Sequence, residues 1–276
     1  MSQEQDVIHT RIWEELPEPD NPFAAAACFC SGFDVFRDLL GKASWSEYLY
    51  LLFMREPPSG EQALMLETLA VAIANAGPRD HSIRAAMNAG VGGSTSASCL
   101  MAALAVGAGQ SGGAREVFLA MQAWRECGLD ASRWQQLLSR PRLTDRADVW
   151  PEPEYPAGFD PNGASCTTPV LQTLTCLAER SCGESLKWLH ARRCELESVA
   201  GLPLAMTGVA AAALVDLGFD SSQGEMLYLL LRLPGAAVHA LEQREYGHKR
   251  YPLFKDGLEL VDDPAHPPPQ RRRQGA

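Results

Sequence analysis

Apolar positions recur with helical spacing through most of the chain. Val117, Phe118, Met121 and Trp124 form an i, i+1, i+4, i+7 stripe. Gly128 stands where that helix should stop. The alanine-rich stretch from Ala205 to Leu217 reads as a second helix, closed by Gly218. Starts are marked by a hydroxyl with an acid or amide three residues on: Ser44 with Glu47, Ser59 with Gln62, Ser181 with Glu184, Ser222 with Glu225. Each pair can satisfy orphan amide donors as a capping box. Pro234 is suited to the first position of a further helix. No segment shows sustained strand alternation. The pattern predicts an all-α fold with about ten to twelve helices of ordinary length.

Three segments depart from it. Residues 1–23 are polar and carry Pro17, Pro19 and Pro22, so they read as an irregular arm. Residues 262–276, DDPAHPPPQRRRQGA, have almost no core-forming side chain and read as a disordered tail. Arg271–Arg273 within it read as solvated charge. Residues 140–169 hold prolines at 141, 151, 153, 156, 161 and 169 and cannot be one helix. They form a linker or a long functional loop. Helical spacing resumes at Val170, Leu171, Leu174 and Leu177.

Composition narrows the function. Of 276 residues, 46% are hydrophobic and 21% charged, as in ordinary globular proteins. A net charge of −10 argues against binding nucleic acid through phosphate neutralisation. No apolar run reaches the length of a membrane span, and no secretory leader is visible, so a cytoplasmic location is expected. The eight cysteines are then read as reduced thiols. Cys28 and Cys30 are the one close pair, without a second pair or a histidine partner at zinc-site spacing, so no metal is expected. Cys166 is the cysteine to watch as a nucleophile.

Several stretches, in order, resemble the citrate synthase superfamily, and within it the short citryl-CoA-lyase-like branch. TRIWEELPEPDNPF resembles the opening segment of that branch. FDVFRDLLGKASWSEYLYLLFMREPP resembles its D-L-L-G-x-x-S-F-x-E-x-L-x-L-L helix pair. Asp80-His81 is similar to a D-H-G turn, and SGGAREVFLAM to H-G-G-A-N-E-A-V. LPLAMTGVAAAALVDLGF resembles L-P-x-N-V-D-G-x-x-A-A-x-L-x-D-L-G-F. RLPGAAVHALEQREYGHKRYP resembles R-x-P-G-x-x-A-H-x-L-E-Q…R-x-P. Together they span about residues 10 to 260.

The resemblance implies a homodimer of large and small helical domains around a cleft. The large domain would cover 24–139, the small domain 140–232 with the altered loop 140–169, and 233–261 would return to the large domain. It also implies carbon–carbon bond chemistry between an acyl-CoA methyl group and a 2-oxo acid. A CoA thioester would then be substrate, and a small carboxylate or acyl-CoA the ligand.

That chemistry needs a carboxylate base, an oxyanion donor and arginines for the acid's carboxylates. The family's aspartate position is Thr207, within Ala205-Met206-Thr207-Gly208. A hydroxyl is no carboxylate base near neutral pH. The histidine of H-G-G-A is Ser111 here. The histidine of the family's G-H-x-V loop has no counterpart, since 140–169 lacks histidine; the best match lies in Pro156–Gly163. The arginine of D-P-R is missing too. His81 remains as a candidate catalytic donor, and Arg250 as a carboxylate clamp. Ser111 and Thr207 are candidate substrate-binding residues.

Each has a plainer reading: His81 as a helix-start histidine, Arg250 as a surface arginine, Ser111 and Thr207 as helix caps. His239 reads as a structural histidine, and His248 and Lys249 as solvated. A positioned acid or base contributes about 10²–10⁴ in rate, so ordinary citrate cleavage or synthesis is not expected. Two readings stay open: an enzyme with reassigned residues, or a non-catalytic pseudoenzyme or accessory subunit of an active paralogue.

Overall fold

The computed structural model describes residues 8–140 and 154–252. The expected tail at 262–276, residues 1–7 of the arm and residues 141–153 of the altered loop lie outside them.

The chain begins with a sheet that the sequence pattern did not announce. β1 (Trp13–Glu18), β2 (Asn21–Cys30) and β3 (Phe33–Asp34) form an antiparallel sheet in that order. Trp13 pairs with Cys30 and Glu18 with Asn21, and the register shifts on both sides of Pro17. A proline has no amide to donate, so it sits where the ladder is broken. Every residue of β1 is exposed. No face of it is buried, so no alternation was available to betray it. A short π-helical turn over Val35–Leu39 leads into the helical body.

Among the described residues ten α-helices follow: α1 (Trp45–Met54), α2 (Gly60–Ile73), α3 (His81–Val91), α4 (Ser96–Gly107), α5 (Ala114–Cys127), α6 (Ala131–Leu138), α7 (Thr168–Arg180), α8 (Ser185–Ala200), α9 (Met206–Asp216) and α10 (Ser221–Tyr246). None is long and apolar enough, among the described residues, to cross a membrane. The boxes expected at Ser44 and Ser59 are both formed. The other two starts differ. Ser181 ends α7, and the amides of Ser185 and Leu186 are instead capped by Asp216, at 2.8 and 3.0 Å, from the far end of α9. α10 starts one residue before Ser222, with Asp220 and Gln223 making the box.

Pro234 does not open a helix but lies inside α10. The helix survives because the next amide finds another acceptor: Gly235 N–H donates to the Ala74 carbonyl at 2.8 Å. A side chain at 235 would strike that carbonyl at 2.6 Å. Glycine is what lets α10 press on the end of α2.

The main core joins α1, α2, α5 to α9 and the first half of α10. α9 runs through it, with Thr207 to Leu214 buried all round. Such a helix is apolar on every face because every face is covered. Trp124, Trp134 and Trp188 stack edge to face or in parallel, 4.9 to 6.1 Å apart, and bind α5, α6 and α8 together. A second cluster of Ile83, Ala86, Cys99, Ala103, Ala236 and Ala240 joins α3 and α4 to the second half of α10. The two clusters meet along α10, and a cleft opens beside that junction.

Candidate active site

The cleft has a volume of about 660 Å³. Its walls come from the start of α3, the turn before α5, the loop ahead of α7, the start of α9 and the middle of α10. Three of the four residues singled out in the sequence, His81, Ser111 and Thr207, line it together. Arg250 does not line it; it lies exposed on a short 3-10 turn after α10.

His81 is the first residue of α3 and is exposed to the cleft. Its neighbour Asp80 caps that helix, accepting from the amides of Ser82 at 3.0 Å and Ile83 at 3.1 Å. Asp80 also forms a close ion pair with Arg232 of α10. Arg232 is buried, lies 4.9 Å from the centre of the Tyr228 ring and reaches the Gly112 carbonyl at 3.4 Å. Burial pushes the Asp80 carboxyl upward, but the Arg232 charge and the Ser82 and Ile83 hydrogen bonds outweigh it, leaving Asp80 below the usual carboxylate range. The Tyr228 phenol is pushed up to about 12, chiefly by burial.

The floor is organised by a residue that had no part in the sequence assignment. Glu116, in the first turn of α5, is only 2% exposed. Oε1 accepts from the Thr207 hydroxyl at 2.6 Å and the Gly158 amide at 3.0 Å. Oε2 accepts from the Gly112 amide at 2.5 Å and the Tyr155 hydroxyl at 3.1 Å. Four donors fill the roughly four lone-pair directions of a carboxylate. One side chain thus ties the turn before α5, the loop at 155–158 and the start of α9.

This network replaces the capping roles considered for Ser111 and Thr207. The N-cap of α5 is Gly113 and that of α9 is Ala205, neither with a side-chain cap. At 113 a Cβ would lie 2.7 Å from the Gly107 carbonyl oxygen, so only glycine fits. The Gly112 amide is spent on Glu116 and is not free for an anion in the cleft. Ser111 instead contacts the Tyr155 phenol, which burial pushes up and this hydrogen bond draws down.

The altered loop is held by backbone. Asp160 N–H donates to the Pro203 carbonyl at 2.8 Å, and Ala205 N–H to that of Gly158 at 2.9 Å. Gly158, with φ of +90°, lies so near Gly208 that a side chain on either would collide with the other's backbone. Phe159, Asp160, Pro161 and Asn162 face the cleft, whereas Ala157 packs on the core. Cys166 is on the far side of this loop, and burial pushes its thiol up, the wrong direction for a reactive nucleophile. His239 is held between Glu242 and Asn75, each at 3.2 Å, as expected of a structural histidine.

One similar structure is citryl-CoA lyase from Hydrogenobacter thermophilus, with a TM-score of 0.72, 19% identity, and 96% of this chain matching 98% of that one. The chain has a fold like that of citryl-CoA lyase and citrate synthase. ATP citrate lyase from Methanothrix soehngenii, in complex with citrate and coenzyme A, is similar at a TM-score of 0.72 and 16% identity. There 95% of this chain matches 43% of the longer one. Citrate synthase from Thermoplasma acidophilum gives 0.57 and 15%, over 80% of this chain and 59% of that one. No family profile and no curated protein sequence matches the chain.

In this citryl-CoA-lyase-like fold the sequence reading missed Glu116, Tyr155 and Arg232. Two were within reach. Glu116 belongs to SGGAREVFLAM, and its place on the buried side of an amphipathic helix marks it as a charge that needs partners. Arg232 opens the R-x-P-G stretch, but its pairing with Asp80, 152 positions away, leaves no trace in local pattern.

Proposed function

We propose that the cleft binds an acyl-CoA thioester or a polycarboxylate and makes or breaks a carbon–carbon bond in it. The observation that carries this reading is the convergence of His81, Ser111, Thr207 and Arg232 on one cleft in a citryl-CoA-lyase-like fold. In the cleavage direction, a base takes the proton of a 3-hydroxyl group and the adjacent carbon–carbon bond breaks. Its electron pair passes into a thioester enolate, whose carbon is then protonated. His81 is the group to exchange a proton with the hydroxyl or keto oxygen. Arg232 faces a carboxylate of the acid, sharing its charge with Asp80. Both roles rest on position in the cleft.

A second reading is favoured by Glu116. Its carboxylate is saturated by four donors, and the Thr207 hydrogen is committed to it. The position that a carboxylate base occupies in the family therefore holds no free base. A cleft that binds without turnover, in a pseudoenzyme or an accessory subunit of an active paralogue, fits that network.

Calorimetric titration with CoA, acetyl-CoA, citrate and oxaloacetate tests binding, and proton NMR of acetyl-CoA in deuterated buffer tests chemistry. Micromolar binding, about −8 kcal/mol, together with methyl deuteration or citryl-CoA cleavage, supports the enzyme. Binding without exchange or cleavage supports the second reading. No binding of any of the four ligands overturns both.

A further inference from the structure

The turn that joins α2 to α3 gives the cleft more than His81. Asn75 and Asp80 line the cleft from the same turn. One face of α10 holds the turn at three points. Arg232 pairs with Asp80, the Gly235 amide donates to the Ala74 carbonyl at 2.8 Å, and His239 Nε2 meets Asn75 Oδ1 at 3.2 Å. Positions 232, 235 and 239 are i, i+3 and i+7, one side of a helix. Gly77 ties the turn from within. Its amide donates to Asn75 Oδ1 at 3.0 Å, and its carbonyl accepts the Asp80 amide at 3.0 Å. Its φ of +77° is a conformation that favours glycine.

These contacts fix which way the Asn75 amide is turned. A backbone N–H can only donate, so the atom that meets the Gly77 amide is the oxygen. Because that oxygen is an acceptor, His239 Nε2–H is the donor to it, while Glu242 faces the other ring nitrogen at 3.2 Å. Oδ1 is thus used twice by the protein itself. The two hydrogens of Nδ2 meet no acceptor among the described residues, although Asn75 lines the cleft. The geometry points to Asn75 as a further ligand-binding residue: its amide nitrogen donates to an oxygen at the reacting end of the ligand, and His239 is the residue that positions it. This inference rests on the reading of the cleft as an acyl-CoA or polycarboxylate site.

The chemistry of the donor sets the class of acceptor. A side-chain amide nitrogen carries two N–H donors and no charge, so it suits a carbonyl or carboxylate oxygen. Both the thioester carbonyl of an acyl-CoA and the carboxylate of an acid present one. A donor already fixed in place needs no reorganisation as charge gathers on that oxygen, which is the condition for such a bond to act most strongly.

The test is calorimetric titration of the full chain and its variants with CoA, acetyl-CoA, citrate and oxaloacetate. Asn75→Ala removes the donor. Asn75→Asp keeps an oxygen for Gly77 and His239, and so the fold, but offers the ligand an acceptor instead. Both variants should bind roughly tenfold more weakly, the size of one hydrogen bond lost. A loss for acetyl-CoA but not for CoA assigns the bond to the thioester carbonyl; a loss for citrate and oxaloacetate assigns it to a carboxylate. His239→Ala should weaken the same ligands, His239→Gln, which keeps an N–H donor, should restore them, and His239→Ala should add nothing in the Asn75→Ala background. Wild-type protein that binds none of the four removes the reading of the cleft and this inference with it. Wild-type binding that both Asn75 variants match, or a loss as large for CoA as for the other three, overturns the role of Asn75 and leaves that reading standing. A further loss from His239→Ala in the Asn75→Ala background overturns the positioning role.

Discussion

The Thr207 hydroxyl donates to Glu116 Oε1 at 2.6 Å, and both side chains are buried beneath the cleft. The position where the family resemblance expects a base is therefore the donor in a structural bond. Replacing Thr207 with Asp would set a second carboxylate against Glu116 in a buried place. Two such groups cannot both ionise freely, and one of the pair would be pushed up. A raised carboxyl binds its proton more tightly in the folded state, so folding would gain stability as pH falls through that range. Thermal melts of Thr207→Asp should rise between neutral and mildly acid pH relative to wild type. Parallel profiles would mean that the two side chains do not meet.

The donors on Glu116 predict the cost of changing it. Glu116→Gln keeps the shape but turns an amide nitrogen toward groups that are themselves donors. At least one buried donor then loses its acceptor, at about 1–3 kcal/mol. Denaturant unfolding should show that loss, whereas Thr207→Ser, which keeps the hydroxyl, should stay within about 1 kcal/mol of wild type.

Asp80 and Arg232 form the other buried pair of the site. Asp80 is held below the usual carboxylate range, so its contribution is present above the unfolded value and is lost as pH falls through the depressed one. Arg232→Ala removes the charge that opposes burial. It should cost about 3–5 kcal/mol near neutral pH, as for a buried ion pair broken on one side. Because Asp80 would then be pushed up rather than down, the variant should recover part of that deficit in acid. Chemical unfolding at neutral pH and near pH 4 reads the difference; a constant deficit would show that Asp80 is not the group responsible.

Much of the helical body can be read from residue pattern. Capping boxes at Ser44 and Ser59 are local, and so is the stop at Gly128, because a cap is decided by neighbours in sequence. What escapes the pattern is decided from far away. Asp216 caps α8 from another helix, and Ala74 rescues the helix around Pro234. β1 is exposed throughout and β2 is buried only toward Cys30, so the hairpin leaves no sustained period. At the site, His81, Ser111 and Thr207 were legible through motif resemblance and do line one cleft. The Glu116 network was not, since its four donors come from three separate stretches of chain.

Gly208 tests whether the loop wall matters to the cleft. A Cβ there would lie 2.5 Å from the Gly158 carbonyl oxygen. Gly208→Ala must therefore displace the loop at 158, at about 1–3 kcal/mol for overpacking. The same shift should carry Phe159 to Asn162 and weaken whichever ligand the titrations identify. Loss of stability with unchanged affinity would remove the loop from the binding surface.

His81 separates binding from folding most cleanly. Its ring is exposed, and neither nitrogen is hydrogen-bonded to another of the described residues, so the fold does not depend on it. His81→Ala should unfold within about 0.5 kcal/mol of wild type, as exposed substitutions do. If the imidazole hydrogen-bonds the ligand, affinity should fall roughly tenfold, about 1.4 kcal/mol. His81→Gln, which keeps a donor and an acceptor, should recover part of it. That recovery marks a hydrogen bond rather than lost packing, because alanine and glutamine differ at 81 chiefly in reach and polarity. Equal affinity in all three proteins would take His81 out of the site and leave Arg232 as the group that positions the ligand.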